Sequence, residues 1–160
     1  LNAIAFNRIV DEYSTPLYRF ALSMQKDDDE AKDVVQDAFA KLWERKEQVN
    51  PEKVKSYLFT TVHHKIIDNF RKAKRTESIS ETTKTESVSQ DTHDLNEVLH
   101  EALNTLPEIQ KSVILMRDYE GYNYDEIAEM TKLSLSQVKV YIFRGRQKLK
   151  QYLGSIEMVI

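Results

Sequence analysis

A chain of 160 residues with a net charge of −3 and 41% hydrophobic residues has room for one ordinary domain or two small ones. It holds no cysteine, which excludes disulfides, thiolate metal sites and a cysteine nucleophile. Three glycines and three prolines argue against an all-β fold, and no apolar run approaches the roughly 20 residues that span a bilayer. The start, Leu1 to Phe6, lacks a signal peptide's basic flank and long apolar stretch. The expectation is an all-α, cytoplasmic protein without membrane insertion.

In the first half, Ile4, Ile9, Val10, Tyr13, Leu17, Phe20, Ala21 and Met24 recur at helical spacing. Pro16 is expected to kink or restart that helix near Ser14–Thr15, because proline removes a backbone donor. The run Asp27 to Glu30 supplies an N-cap and an acidic first turn. A second helix follows, with Ala31, Val34, Val35, Ala38, Phe39 and Leu42 on one face. Asn50-Pro51-Glu52 reads as a cap followed by proline at the first helical position. It opens a long helix to about Lys74 with Val54, Leu58, Val62, Ile66 and Phe70 as its stripe.

The composition breaks at Thr76. Nine of the nineteen residues from Thr76 to Asp94 are Ser or Thr, and five acids stand against one lysine. Ile79 and Val88 alone cannot offset the cost of ordering such a stretch. It reads as a flexible acidic linker, leaving domains over residues 1–75 and 95–160.

Leu95, Val98, Leu99, Ala102 and Leu103 form the next stripe, and Leu106-Pro107 restarts the chain. Ile109, Val113, Ile114 and Met116 follow, with Gly121 as a breaker. Asn123 with Glu126, and Ser134 with Gln137, have capping-box spacing. The first opens a helix over Tyr124–Thr131 and the second a long one from Leu135 to about Leu153. A short helix, a turn near Lys132–Leu133 and a longer helix make a helix-turn-helix.

At 100° per residue from Val138, the residues Tyr141, Ile142, Gly145, Leu149 and Tyr152 fall on the core side of that last helix. Ser136, Gln137, Lys139, Val140, Phe143, Arg144 and Gln147 lie opposite. Lys139, Arg144, Arg146, Lys148 and Lys150 face no acid between Ser134 and Tyr152. That is an electrostatic footprint for phosphate. Val140 and Phe143 are apolar yet point away from the core, as contact with thymine methyls in a major groove requires.

These segments carry a resemblance. Leu106-Pro107-Glu108, the run from Tyr119 to Met130 (YEGYNYDEIAEM), Leu133 to Lys139 (LSLSQVK) and Phe143 to Leu149 (FRGRQKL) resemble the C-terminal domain of extracytoplasmic-function sigma factors. Ala31 to Trp43 (AKDVVQDAFAKLW) resembles that family's polymerase-binding helix, and Tyr57 to Lys72 (YLFTTVHHKIIDNFRK) its promoter-melting helix. The resemblance implies a factor that binds core RNA polymerase through its clamp helices and flap. It further implies recognition of the −35 element by the C-terminal helix-turn-helix and melting of the −10 element by the N-terminal domain. An anti-sigma factor is an implied partner, and no cofactor is.

Carried onto this chain, the resemblance sets Asp33, Gln36, Asp37 and Trp43 against polymerase. The helical wheel agrees, with Asp33, Gln36 and Asp37 opposite the apolar stripe and Trp43 at its edge. Tyr57, His64, Asp68 and Arg71 share one face of the melting helix, flanked by Lys65 and Lys72. Aromatic and basic side chains together suit a single strand, whose bases stack and whose phosphates need neutralising. The chain departs from the family in having Tyr57 where tryptophan is common and His64 where asparagine is usual. His64 either reads a base or pairs with Asp68 one turn on.

An enzyme finds little support. His63, His64, His93 and His100 show no metal-ligand spacing, and no Gly-rich phosphate loop, nucleophile elbow or paired-carboxylate motif is evident. Two alternatives remain: a helix-turn-helix regulator that binds DNA without joining polymerase, and an interaction module whose basic helix binds an acidic protein.

Overall fold

The computed structural model describes the backbone of residues 1–79 and 95–157, with side chains at 1–76 and 97–155. Most of the expected linker over 76–94 therefore lies outside the described residues. Among those residues every regular element is helical. α1 (Ala3–Gln25) begins at an Asn2 cap, whose Oδ1 accepts the Ala5 amide at 2.8 Å, and ends at Lys26 in the left-handed region, φ 60°. Pro16 does not restart it: α1 runs through the proline as one helix. The lost hydrogen bond is outweighed by burial of Leu17, Phe20, Ala21 and Met24 just beyond it. Ile4, assigned to the stripe, is instead 67% exposed, while Leu1 and Phe6 on either side of it pack against the core.

α2 (Asp28–Glu44) is capped by Asp27, whose carboxylate accepts the Glu30 amide at 3.0 Å and faces the helix's positive end. Its stripe is buried as expected. A single 3-10 turn over Pro51–Lys53, capped by Asn50, leads into α3 (Val54–Ile79). α3 extends past Lys74, and Thr76 bonds back to the Lys72 carbonyl at 3.0 Å. α1, α2 and α3 each pack on the other two, forming a three-helix bundle around Leu17, Phe20, Leu42, Leu58 and Ile66.

α4 (Leu95–Asn104) and α5 (Glu108–Ile114) flank Leu106-Pro107. α5 then widens into a π-helical segment over Leu115–Tyr119, which sequence periodicity did not foretell, before Gly121 turns the chain at φ 75°. α6 (Tyr124–Thr131) carries both halves of the expected capping box: Asn123 Oδ1 accepts the Glu126 amide at 2.8 Å, and Glu126 accepts the Asn123 amide at 3.3 Å. Lys132, at φ 62°, makes the turn into α7 (Leu135–Glu157). α7 is the spine of this half and packs on α4, α5 and α6. Gly145 lets α5 close on it, since a Cβ there would stand 3.0 Å from Ile114 Cγ1.

The two bundles are docked on each other, chiefly α3 on α6 and α1 on α5. Phe59 of α3 meets the Tyr122 ring edge-on at 5.1 Å. Around that contact the seam is polar. Arg19–Glu120 (2.6 Å), Lys53–Glu129 (3.0 Å), Lys55–Glu126 (2.5 Å) and Lys74–Glu108 (3.4 Å) cross it, every cation coming from the N-terminal half.

Candidate nucleic-acid interface

α7 presents a capped start and a two-faced body. Ser134 Oγ accepts the Gln137 amide at 3.1 Å, and Gln137 Oε1 accepts the Ser134 amide at 3.0 Å. The Gln137 carbonyl is thus engaged in the cap, leaving its NH2 as the free donor. Val138 and Ile142 are buried, and Gly145 with them. Ser136, Gln137, Lys139, Val140, Phe143, Arg144 and Gln147 are all exposed, as the wheel required. Val140 is 43% and Phe143 61% exposed, an uncovered apolar pair between Lys139 and Arg144. A solvated helix face has no reason to carry them; a surface that meets base edges does.

Arg146 behaves differently from its neighbours. Counted above in the basic footprint, it has its Nη2 and Nε 2.6 and 3.1 Å from the two Asp118 carboxylate oxygens. This fork pins α7 to the π-helical segment and takes Arg146 out of the free basic set. Lys139, Arg144, Lys148 and Lys150 remain exposed on the helix.

On α3, His64, Asp68, Arg71 and Lys72 are exposed, while Tyr57 and Lys65 are half-buried. Tyr57 lines a cavity of about 380 Å³ together with Arg45, Asn50, Lys53 and Thr60. Cations, hydrogen-bonding groups and an aromatic wall give this cavity the chemistry to take a planar base and its phosphate. The His64 ring neighbours that of His63, with centroids 6.4 Å apart. On α2, Asp33 and Gln36 are exposed, Asp37 is half-buried, and Trp43 is 39% exposed. Phe6 meets Trp43 edge-on at 5.0 Å, and Lys46 Nζ lies 3.5 Å over its ring. The indole is therefore held in place with part of its face open.

The residues that join the halves were missed by sequence reasoning. His63 is 2% exposed and lies 2.9 Å from Ser112 Oγ of α5; burial lowers its pKa to about 4. Lys111 is buried too, with Nζ 2.8 Å from Asn104 Oδ1 and 3.5 Å from the Met24 carbonyl that ends α1. Burial lowers its pKa to about 8. A second face on α3, formed by Phe59, His63 and Ile67 beside the stripe that ends at Phe70, was the available signal, since a helix in one bundle needs only one. Among the described residues, no group of His, Asp and Glu could hold a metal ion, and no helix is long and apolar enough to cross a membrane.

Two family models match this chain. "Sigma-70 region 2" covers residues 9–76 and "Sigma-70, region 4" covers residues 96–149. RNA polymerase sigma factor SigV of Bacillus subtilis (strain 168) is 32% identical over 143 residues, covering 88% of this chain and 86% of that protein. ECF RNA polymerase sigma factor SigM of the same strain is 29% identical over 153 residues, covering 92% and 94%. Two solved structures are similar in fold. The sigma factor RpoE from Bartonella quintana, crystallised with the anti-sigma factor NepR, has a TM-score of 0.79 at 25% identity, over 93% of this chain and 96% of that one. CnrH, in complex with the cytosolic domain of CnrY, has a TM-score of 0.74 at 27% identity, over 96% and 90%.

Proposed function

The chain belongs to the sigma-70 family of RNA polymerase sigma factors, of the extracytoplasmic-function type, and from that premise we propose how its residues divide the work of starting transcription. Such a factor is a transcription factor rather than an enzyme. It binds core RNA polymerase and directs it to promoters; this chain needs no catalysis or cofactor of its own, because polymerase makes the bonds. It acts in the cytoplasm, beside its template.

Residues 1–75 form the polymerase-binding and melting domain, 76–94 the linker, and 95–160 the upstream-element reader. Asp33, Gln36, Asp37 and Trp43 meet the polymerase clamp. α3 receives the melted strand: Tyr57 offers a stacking surface, His64 and Asp68 offer polar edges, and Lys65, Arg71 and Lys72 neutralise phosphate. α7 enters the major groove with Ser136, Gln137, Lys139, Val140, Phe143, Arg144 and Gln147 outward. The observation that carries this reading is Phe143, 61% exposed beside Arg144 on a helix whose opposite face is buried. An anti-sigma factor is a further partner, as the similar solved structure of RpoE from Bartonella quintana holds the anti-sigma factor NepR.

The experiment separates polymerase binding from DNA binding. Asp33→Ala with Gln36→Ala abolishes promoter-specific transcription by core polymerase while leaving helicity and promoter-fragment binding intact. Unchanged transcription from that double variant contradicts the assignment of α2.

A further inference from the structure

α6 and α7 are joined by one turn and tied again at their far ends. The turn runs through Lys132, a non-glycine residue at φ 62°. Tyr124 stands eight residues before it and Arg146 eleven after Leu135, roughly 12 and 16 Å along their helices. Those distant ends are nonetheless bridged. The Arg146 guanidinium forks onto Asp118 at 2.6 and 3.1 Å, and Tyr124 interacts with the same guanidinium. Tyr124 in turn lies beside Arg117, whose Cζ is 4.8 Å from the ring centroid and whose Nη1 donates to the Tyr122 carbonyl at 3.0 Å. We propose that Arg146 is a positioning residue for promoter reading: a strut that fixes the angle between α6 and α7 and so aims Phe143 and Arg144 at their bases. The proposal rests on the reading of α7 as the helix that enters the major groove.

The surrounding geometry supports it. The Glu120 amide reaches back five residues to the Leu115 carbonyl at 3.0 Å, one residue more than an α-helix spans. Asp118 stands inside that widened turn, and such turns occur mostly at functional sites. One residue before Arg146, Gly145 brings α7 so close to α5 that a Cβ would stand 3.0 Å from Ile114 Cγ1. Phe143 and Arg144 directly precede this anchored pair, so a shift of α7 at Arg146 carries them with it. The Arg146 and Asp118 side chains are 47% and 35% exposed, and an ion pair so placed contributes modestly to stability. What a bidentate fork adds is direction, which an ammonium group does not supply. Lys139, Arg146 and Lys150 also share one flank of α7, at spacings of seven and four residues. Engaged with Asp118, Arg146 is withheld from the phosphates that Lys139 and Lys150 can reach.

Arg146→Lys tests the strut, because lysine keeps the charge and loses the fork. Asp118→Asn breaks the pair from the other side and frees the arginine. Each chain is assembled with core polymerase. The probe is a duplex enriched from a randomised library by the wild-type holoenzyme, with its single-base variants, at two salt concentrations. The strut predicts about tenfold lower discrimination in both variants, at the positions that Phe143→Ala or Arg144→Ala relaxes. Arg146→Lys still sets one nitrogen against Asp118 and keeps the wild-type salt dependence. Asp118→Asn steepens the log–log salt slope by about 0.9, as the freed guanidinium joins Lys139 and Lys150 on phosphate. Asp118→Arg with Arg146→Asp rebuilds the fork with its charges exchanged and recovers discrimination. Leu103→Val, a core change in α4, lowers stability and leaves discrimination intact. Wild-type discrimination in Arg146→Lys, an equal loss in Leu103→Val, or no recovery in the exchanged pair overturns the strut. If Phe143→Ala and Arg144→Ala both leave preference intact, the reading of α7 falls and the strut falls with it.

Discussion

His63 Nε2 of α3 donates to Ser112 Oγ of α5 at 2.9 Å, and the direction of that bond is fixed by its surroundings. The single hydroxyl proton of Ser112 goes to the Glu108 carbonyl at 2.8 Å, so the oxygen can only accept from the ring. Nδ1 is then the unprotonated nitrogen, buried without a partner. A second proton there makes an uncompensated buried cation, and desolvation, reinforced by neighbouring His64, accordingly lowers the His63 pKa to about 4.

Stability of the docked chain should therefore depend on pH in a defined window. The folded state binds fewer protons at His63 than the unfolded chain, so the associated stability is present above about 6.5 and is lost as pH falls towards 4. The loss is of the order of 3 kcal/mol if burial is complete. Thermal unfolding between pH 7.5 and 4.5 checks it: the wild-type midpoint falls more steeply than that of His63→Gln, which keeps a donor but does not titrate. Parallel curves for the two chains exclude His63 as the source.

The proposed reading by α7 is a difference between residues, not a sum over them. Arg144→Ala is expected to cost about 1–3 kcal/mol and to relax preference at one position of the upstream element. Phe143→Ala should relax preference at a position carrying thymine. Lys150→Ala should weaken all sites evenly and flatten the salt dependence slightly. Arg146→Ala belongs to another class: it releases Asp118 and lowers stability before it affects DNA. Titrations on a matched site and its single-base variants, at two salt concentrations, separate these behaviours.

His64→Asn should shift preference at one base of the melted strand more than it changes overall affinity. Arg71→Ala or Lys72→Ala should weaken opening on every sequence, because phosphate contacts carry little base information. Permanganate footprinting of promoter variants measures both. Equal effects of all three changes on every variant contradict the division.

Most of the fold was legible because its signals are local. Asp27, Asn50, Asn123 and Ser134 each announce a helix start through an oxygen three or fewer residues from the amide it accepts. The outward face of α7 followed from 100° per residue alone, and Val140 and Phe143 are exposed where that rule placed them. Pro16 misled because its cost is local while the burial that holds α1 together is not. The seam was hidden for the same reason. Arg19 and Glu120 lie 101 residues apart, and no spacing rule links them. The fork from Arg146 to Asp118 was hidden likewise, since the two lie 28 residues apart.

The approach of α5 to α7 can be tested by volume. Gly145→Val places a branched side chain where even a Cβ meets Ile114 Cγ1 at 3.0 Å and Cδ1 at 3.2 Å. Ile114 is 1% exposed and has little room to yield. A loss of about 1–3 kcal/mol is expected. Ile114→Ala should absorb part of it, so denaturant unfolding of the double variant should show less than additive loss.

The most direct measurement of the central claim is run-off transcription by core RNA polymerase on a promoter library, with and without the chain. The account predicts discrete starts that require the chain and share an upstream element whose preference changes with Arg144→Ala or Phe143→Ala. DNA binding by the chain alone, with no specific start added to polymerase at any library promoter, would contradict it.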